Sequence, residues 1–587
     1  MRNRSLEFTL AFTVAVATSC GSNTKPAVVD PGPPGPTASE QLASVSDDMW
    51  KHMLADNPTM ATQLGVPGYD DKLPDVSAEG IARSRAEARA LLDRAEAIDV
   101  AQLTEDERIT RAILVHELRS DLESAVCKQE QWTVDHLWGP QVWFLNLGDQ
   151  TRVETAEDED NYILRLNKFG SYVDQRIATL RTGLADGLVA PGLNVERSLR
   201  QLDELVMLPA EDMALLGADR LVPDERKAAF RKRIVSSIQT IVRPAYERYR
   251  AVLVEELSPA ARDTVGVGAL PFGDECYRAR IRAHTSRDDS PQQLHDLGLS
   301  EMKRIRGEME TLAAVLFPGK PLPDVLKMLR DDPKYGFETR DEVEKAAVAA
   351  VRRAEAKLPE VFSVLPKAPV QVKRLEPHAE KDSPMAYYRN PSADGKQPGT
   401  YFVNTYLPEQ RPRYTAEVLA FHEAVPGHHL QIAIAMELDD IPEFQKHAGT
   451  TAFVEGWALY AERLCDEMGL YTGDMDRLGM LSFDAWRAAR LVVDTGMHSL
   501  GWTRQQAIDY MLANTASTLP DIENEVDRYI TWPGQALAYK VGQLEILRLR
   551  EQQKKALGDR FDLRLFHQQV LENGAVPLSV LDERFAN

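Results

Sequence analysis

The stretch Phe421-His422-Glu423-Ala424-Val425-Pro426-Gly427-His428-His429-Leu430-Gln431 holds residue types that bind a metal and activate a water. His422 and Glu423 sit side by side, like the start of the zinc-binding pattern H-E-x-x-H. There two histidines four apart share a helix face and the Glu serves as base. Here the fourth position after His422 is Pro426. On a regular helix His428 lies about 240° round and about 9 Å along from His422, and His429 returns to the same face about 10.5 Å away. Neither reaches a shared ion on an undistorted helix. Pro426, however, lacks an N–H, and its ring clashes with the carbonyl four residues back, which is that of His422. Gly427 follows and tolerates unusual dihedrals. The helix is therefore expected to bulge or break where His428 could be brought in. Looping out two residues gives the second-ligand place to His428, and looping out three gives it to His429. We take His428 as the ligand and His429 as the alternative.

A third ligand is expected from Thr451-Ala452-Phe453-Val454-Glu455-Gly456-Trp457-Ala458-Leu459-Tyr460-Ala461-Glu462. Glu455 stands in apolar and aromatic surroundings, where a buried carboxylate is costly unless paired or metal-bound. Glu462 is seven residues on, along the same face, and suits a supporting role. Two histidines and one carboxylate with an open position describe a hydrolytic zinc site, and also the facial triad of non-haem Fe(II) enzymes. Glu423 beside the first ligand favours hydrolysis, since an oxygenase needs no such base. A non-catalytic envelope protein is the third possibility.

The sequence HEAVPGHHLQ together with EGWALYAE, followed by Asp494-Thr495-Gly496-Met497-His498 and Pro533-Gly534-Gln535-Ala536-Leu537-Ala538-Tyr539-Lys540, resembles the bacterial DUF885 family, over roughly residues 45–580. That family contains many exported lipoproteins and resembles gluzincin-type metallopeptidases. The resemblance implies a mainly helical, zincin-like body with a zinc-peptidase-like site for peptide or peptide-like substrates. One Zn²⁺ is expected on His422, His428 and Glu455, with Glu423 as base. Asp494 and His498 are four apart and share a helix face. His498 is a candidate oxyanion donor with Asp494 fixing its tautomer, and Tyr539 and Tyr529 are further donor candidates. Lys540, Arg487 and Arg490 are candidates for a substrate carboxylate. By analogy with zincins, the strand Gly399–Thr405 would align an extended peptide by backbone pairing, which brings Asn404 near the site.

The elements that must position these residues are mostly helices. Residues 78–98 and 104–126 read as amphipathic helices. Thr104 with Glu107, Thr339 with Glu342, and Ser290-Pro291-Gln292-Gln293 are start signals. Thr415 is a candidate cap for the His422 helix. Near residue 365 the pattern changes. Residues 370–375, 385–388 and 399–405 are β-prone, with a turn at 390–395, and predict a small antiparallel sheet beside the site. The organisation expected is a helical region 41–364, a sheet insertion 365–410 and a helical metal-site region 411–587, with 41–587 as one catalytic body.

The N-terminus reads as a targeting segment. Arg2 and Arg4 precede an apolar run from Phe8 to Ala17, and Ala17-Thr18-Ser19-Cys20 resembles a lipobox, although Glu7 intrudes and Leu is missing from its usual place. Residues 1–19 are expected to be a signal peptide, Cys20 the lipidated residue, and 20–40 a Pro-rich tether off a bacterial envelope membrane, on the outer-membrane or periplasmic side. Of the other cysteines, Cys127, Cys276 and Cys465, none sits in a CxxC pair, and they are expected to be buried and inert. Lys+Arg number 69 against 90 Asp+Glu, a net charge of −21. Such a balance argues against nucleic-acid binding, and 43% hydrophobic residues argue against global disorder.

Overall fold

The computed structural model describes residues 35–375, 380, 384–392 and 397–586. The expected signal peptide, Cys20, most of the expected tether and part of the expected 390–395 turn lie outside the described residues. From Ala38 onward the chain is one unit, built almost entirely of helices. Local chemistry sets many of their starts. Thr104 and Glu107 close a reciprocal capping box at Glu105–Ser124, and Ser290 and Gln293 another at Pro291–Leu316, which has Pro291 in its first turn. At Arg340–Val361 only half the box forms. Thr339 accepts from the Glu342 N–H, while the Glu342 carboxylate accepts from the Glu338 N–H.

The centre of the molecule is the Asp474–Ser499 helix, buried from Leu478 to His498. A helix buried all round has no solvated face, so its charged residues must be paired internally. It packs along Pro291–Leu316. A second core surrounds Ala156–Ala185, with Phe144, Phe169 and Tyr246 among its buried rings. Cys127 and Cys276 are joined in a disulfide, and Cys465 is free and buried. The expectation of three inert thiols is therefore corrected for two of them. They lie 149 residues apart, and such pairing is decided by the fold, not by local spacing.

The sheet has three strands, β1 (Val370–Arg374), β2 (Ala386–Arg389) and β3 (Gly399–Val403), in the order β1-β3-β2. β2 pairs antiparallel with β3, Ala386 opposite Val403, as a short connection requires. β1 pairs parallel with β3, Val370 opposite Gly399, so the sheet is mixed and not antiparallel. Apolar alternation carries no strand direction, and the sequence could not distinguish the two. β3 is central and buried at every residue. Its backbone is committed to both neighbours, so it cannot align a peptide by strand pairing, and that expectation is corrected too.

Candidate metal centre

The helix carrying His422 runs Ala416–Glu423 and stops. Ala424 (φ −102°, ψ −105°) and Gly427 (φ −77°, ψ −128°) leave helical space, the Val425–Pro426 bond is cis, and a new helix starts at His428. A Cβ on Gly427 would meet the His422 carbonyl oxygen at 2.0 Å, so the bulge requires glycine. The Trp457 indole N–H donates to the Pro426 carbonyl at 2.9 Å, pinning the bulge from the helix that carries Glu455. Thr415 does not cap. Its hydroxyl donates back to the Pro412 carbonyl at 3.0 Å.

Glu455 stands on the Thr451–Glu467 helix, which crosses Ala538–Leu557 at a glycine pair. A Cβ on Gly456 would lie 2.4 Å from the Cα of Gly542. This approach sets Glu455, next to Gly456, against Tyr539, three residues before Gly542. The Tyr539 and His422 rings stack with centroids 6.5 Å apart.

One ligand atom each from His422, His428 and Glu455 lies within 4.8 Å of the others. Glu455 Oε2 is 3.6 Å from His422 Nε2 and 3.5 Å from His428 Nε2. Bonds of 2.0–2.1 Å in a tetrahedron put ligand atoms about 3.3 Å apart, close to these separations. Glu455 Oε2 is buried without a hydrogen bond. A carboxylate oxygen converging with two imidazoles and lacking a donor is the arrangement a cation satisfies. Behind it, His422 Nδ1–H donates to Glu462 Oε1 at 2.8 Å, so Nε2 is the nitrogen turned toward Glu455. Arg487 Nη2 lies 3.4 Å from the same Glu462 oxygen and supports that buried charge. Burial pulls the His422 imidazole down, but Glu455 and Glu462 override it and raise it to about 9. For Glu455, burial pushes upward and the two histidines hold it well below the usual carboxylate range.

Glu423 is half-buried, and no hydrogen bond occupies its carboxylate among the described residues. Its charge helps to raise the buried Tyr401 phenol, after burial itself. The Arg490 guanidinium lies 4.1 Å from the Tyr539 ring centre. Burial raises the Tyr539 phenol and the Glu455 charge adds to it, with Arg528, Arg490 and Gln535 opposing, while Gln535 Oε1 accepts from Arg528 at 2.5 Å. Among the described residues no hydrogen bond occupies the Tyr539 hydroxyl, so its O–H is free to donate. Gln535 and Tyr401 were not singled out from sequence. Gln535, four residues before Tyr539, was legible as a supporting partner, but nothing local marked Tyr401.

Several expected site residues are engaged elsewhere. His429 accepts the Tyr388 hydroxyl at Nδ1 (2.9 Å) and donates Nε2–H to the Ala368 carbonyl (3.0 Å), and burial lowers it to about 4. It braces the sheet and lies outside the ligand cluster. His498 accepts from the Val267 N–H at 3.0 Å and donates to the Tyr529 carbonyl at 2.9 Å. Both nitrogens are used, so it has no donor for an oxyanion. Asp494 does not orient it, but accepts from the Tyr277 hydroxyl at 2.6 Å and the Gly534 N–H at 3.1 Å. The Tyr529 hydroxyl accepts from Trp486 (3.0 Å) and Arg490 (2.8 Å) and donates to Glu525 at 2.9 Å. Lys540 is fully buried against Asp484 and donates to Gln543 at 2.6 Å, a core ion pair and not a substrate contact. Asn404 holds loop backbone, donating to the Glu380 carbonyl at 2.7 Å and accepting from the Tyr406 N–H at 3.0 Å. Arg490 pairs with Glu525 at 2.9 Å but keeps a buried Nη1 without an acceptor.

A family described as "Bacterial protein of unknown function (DUF885)" matches residues 58–585. The chain belongs to this family. Among curated proteins none matches it. This DUF885 chain is similar to the crystal structure of a "putative lipoprotein" from Colwellia psychrerythraea (TM-score 0.88, 28% identity, covering 94% of this chain and 99% of that one). A "putative lipoprotein of unknown function" from Shewanella oneidensis shares the fold (TM-score 0.73, 20% identity, 94% of this chain and 100% of that one).

Proposed function

We propose that this DUF885 protein is an exported, zinc-dependent metallohydrolase with a zincin-like site that cleaves peptide bonds. The observation that carries the reading is the convergence of His422 Nε2, His428 Nε2 and the undonated Glu455 Oε2, with the unengaged Glu423 adjacent in sequence to the first of them. These three side chains would hold Zn²⁺, which when bound polarises a carbonyl and acidifies a water. Glu423 takes the proton of the attacking water and delivers it to the leaving nitrogen. The Tyr539 hydroxyl donates to the developing oxyanion, and Arg490, stacked on its ring, holds it in place. Glu462 fixes the His422 tautomer.

The N-terminal pattern ending at Cys20 supports export and lipid attachment, in line with how the two structural relatives are described. Among the described residues no helix is long and apolar enough to cross a membrane.

The test is elemental analysis of the purified body (residues 41–587) with a peptide-library screen. One zinc per chain and cleavage that falls by about 10²–10⁴-fold in Glu423→Gln, zinc retained, is the expected result. Iron at the same stoichiometry moves the chemistry to oxidation. No metal after zinc reconstitution refutes the reading and leaves a non-catalytic envelope protein.

A further inference from the structure

A cavity of about 470 Å³ lies between the Ala156–Ala185 region, the Gly273–Thr285 helix and the end of the Leu519–Thr531 helix, with Trp138, Tyr172 and Trp532 in its walls. Two chains of contact join it to the cluster. Gln535 lines the cavity in the short turn that leads into the Ala538–Leu557 helix, four residues before Tyr539, whose ring stacks on His422. His284 lines it and hydrogen-bonds Thr451 at 3.3 Å, one helical turn before Glu455. The volume falls within the range of small-molecule sites, about 300–1,000 Å³.

Two arginines line this cavity, and they differ in their partners: Arg176 donates to the Glu130 and Thr133 carbonyls at 2.9 and 3.1 Å. Arg280 lines it, and among the described residues no carboxylate lies within ion-pair distance of its guanidinium. Its Nη2–H donates to His284 Nε2 at 2.5 Å, which forces the other proton onto Nδ1 toward Thr451. Its Nε–H is buried without an acceptor. Thr133 Oγ1, also on the lining, is buried and unpartnered. The cavity's own carboxylates are already engaged. Asp135 accepts from the Leu137 and Trp138 N–H groups and from the Trp532 indole, and Glu130 pairs with Arg85 at 3.1 Å. A guanidinium whose Nε–H is buried and unmet is costly unless an acceptor completes it, and an anion does so best. Guanidinium and carboxylate match in geometry and charge.

We propose that this cavity is the substrate subsite and that Arg280 selects peptides by a carboxylate, either the free C-terminal one or an acidic side chain, held between the aromatic walls. This inference rests on the peptidase reading and deepens it. Arg280 is a specificity residue and takes no part in the bond-breaking step.

The test measures equilibrium binding to Glu423→Gln protein of three N-acetylated tripeptides: Ala-Ala-Phe as the free acid, Ala-Ala-Phe as the C-terminal amide, and Ala-Glu-Phe amide. The acid is expected to bind at least tenfold more tightly than its amide, both with zinc and after metal is stripped, and Arg280→Gln is expected to abolish that preference. Persistence in the stripped protein separates Arg280 from carboxylate binding at the metal, and needs no variant of Arg280 to fold. Arg280→Lys should recover part of the preference. A gain confined to the Glu peptide assigns the carboxylate to a side chain. Equal binding of all three, or a preference that vanishes with the metal, overturns the proposal. Cleavage without acid preference refutes the subsite alone, whereas acid preference without cleavage refutes the hydrolase reading and leaves the subsite standing.

Discussion

Glu462→Gln separates a metal-supporting carboxylate from a merely structural one. Glu462 Oε1 accepts the Nδ1–H of His422 at 2.8 Å and is 1% exposed. Loss of such a partner weakens metal affinity by about 10–100-fold. At zinc 100-fold above its dissociation constant, binding stabilises a protein by about 2.7 kcal/mol. With roughly 550 residues in the body (38 to 587), unfolding entropy near the midpoint is about 1.2 kcal/mol per degree, so zinc should raise the wild-type Tm by about 2 °C. At the same zinc concentration the variant should gain only about 1.2 °C for a tenfold loss and about 0.4 °C for a hundredfold loss. The apo variant should also melt lower, because Arg487 loses its carboxylate neighbour at 3.4 Å. Thermal melts of apo and zinc-loaded protein, with zinc affinity measured by chelator competition, read both effects. An unchanged zinc affinity in Glu462→Gln would refute the role given to the Glu462–His422 contact. Absence of any zinc shift in the wild type would remove the metal centre itself.

Two further outcomes are expected. His428→Ala should lose stoichiometric zinc, while His429→Ala should keep it, because His429 spends both nitrogens on Tyr388 and Ala368; the opposite pattern in elemental analysis exchanges their roles. Burial raises Asp494 to about 7, with the Tyr277 and Gly534 hydrogen bonds opposing. Its contribution to stability is complete below about pH 4 and is lost as pH rises through 7, a penalty of about 4 kcal/mol. Asp494→Asn retains an acceptor and removes the charge, so its Tm relative to wild type should climb by about 3–4 °C between pH 4 and 8; a flat difference over that window contradicts the assignment.

The sequence by itself determined the local features. Thr104 with Glu107 and Ser290 with Gln293 start their helices because a cap and its partner three residues on satisfy the same first turn. Pro426 and Gly427 end the His422 helix because a missing N–H, a ring clash and a required absence of Cβ all act within six residues. That His422, His428 and Glu455 could converge was also legible, since Glu455 is a carboxylate in an apolar setting. The tertiary structure decided what depended on distant chain. Whether His428 or His429 faces Glu455 was settled by Trp457 gripping the bulge and by Tyr388 and Ala368 claiming His429. His498 looked equally reactive in sequence until Val267, 231 residues away, and Tyr529 took its nitrogens. The Cys127–Cys276 bond, the parallel pairing of β1 with β3 and the burial of Lys540 against Asp484 follow the same rule. A polar side chain's type announces which bonds it can make, but its partner is fixed only when packing brings another polar group within hydrogen-bond reach.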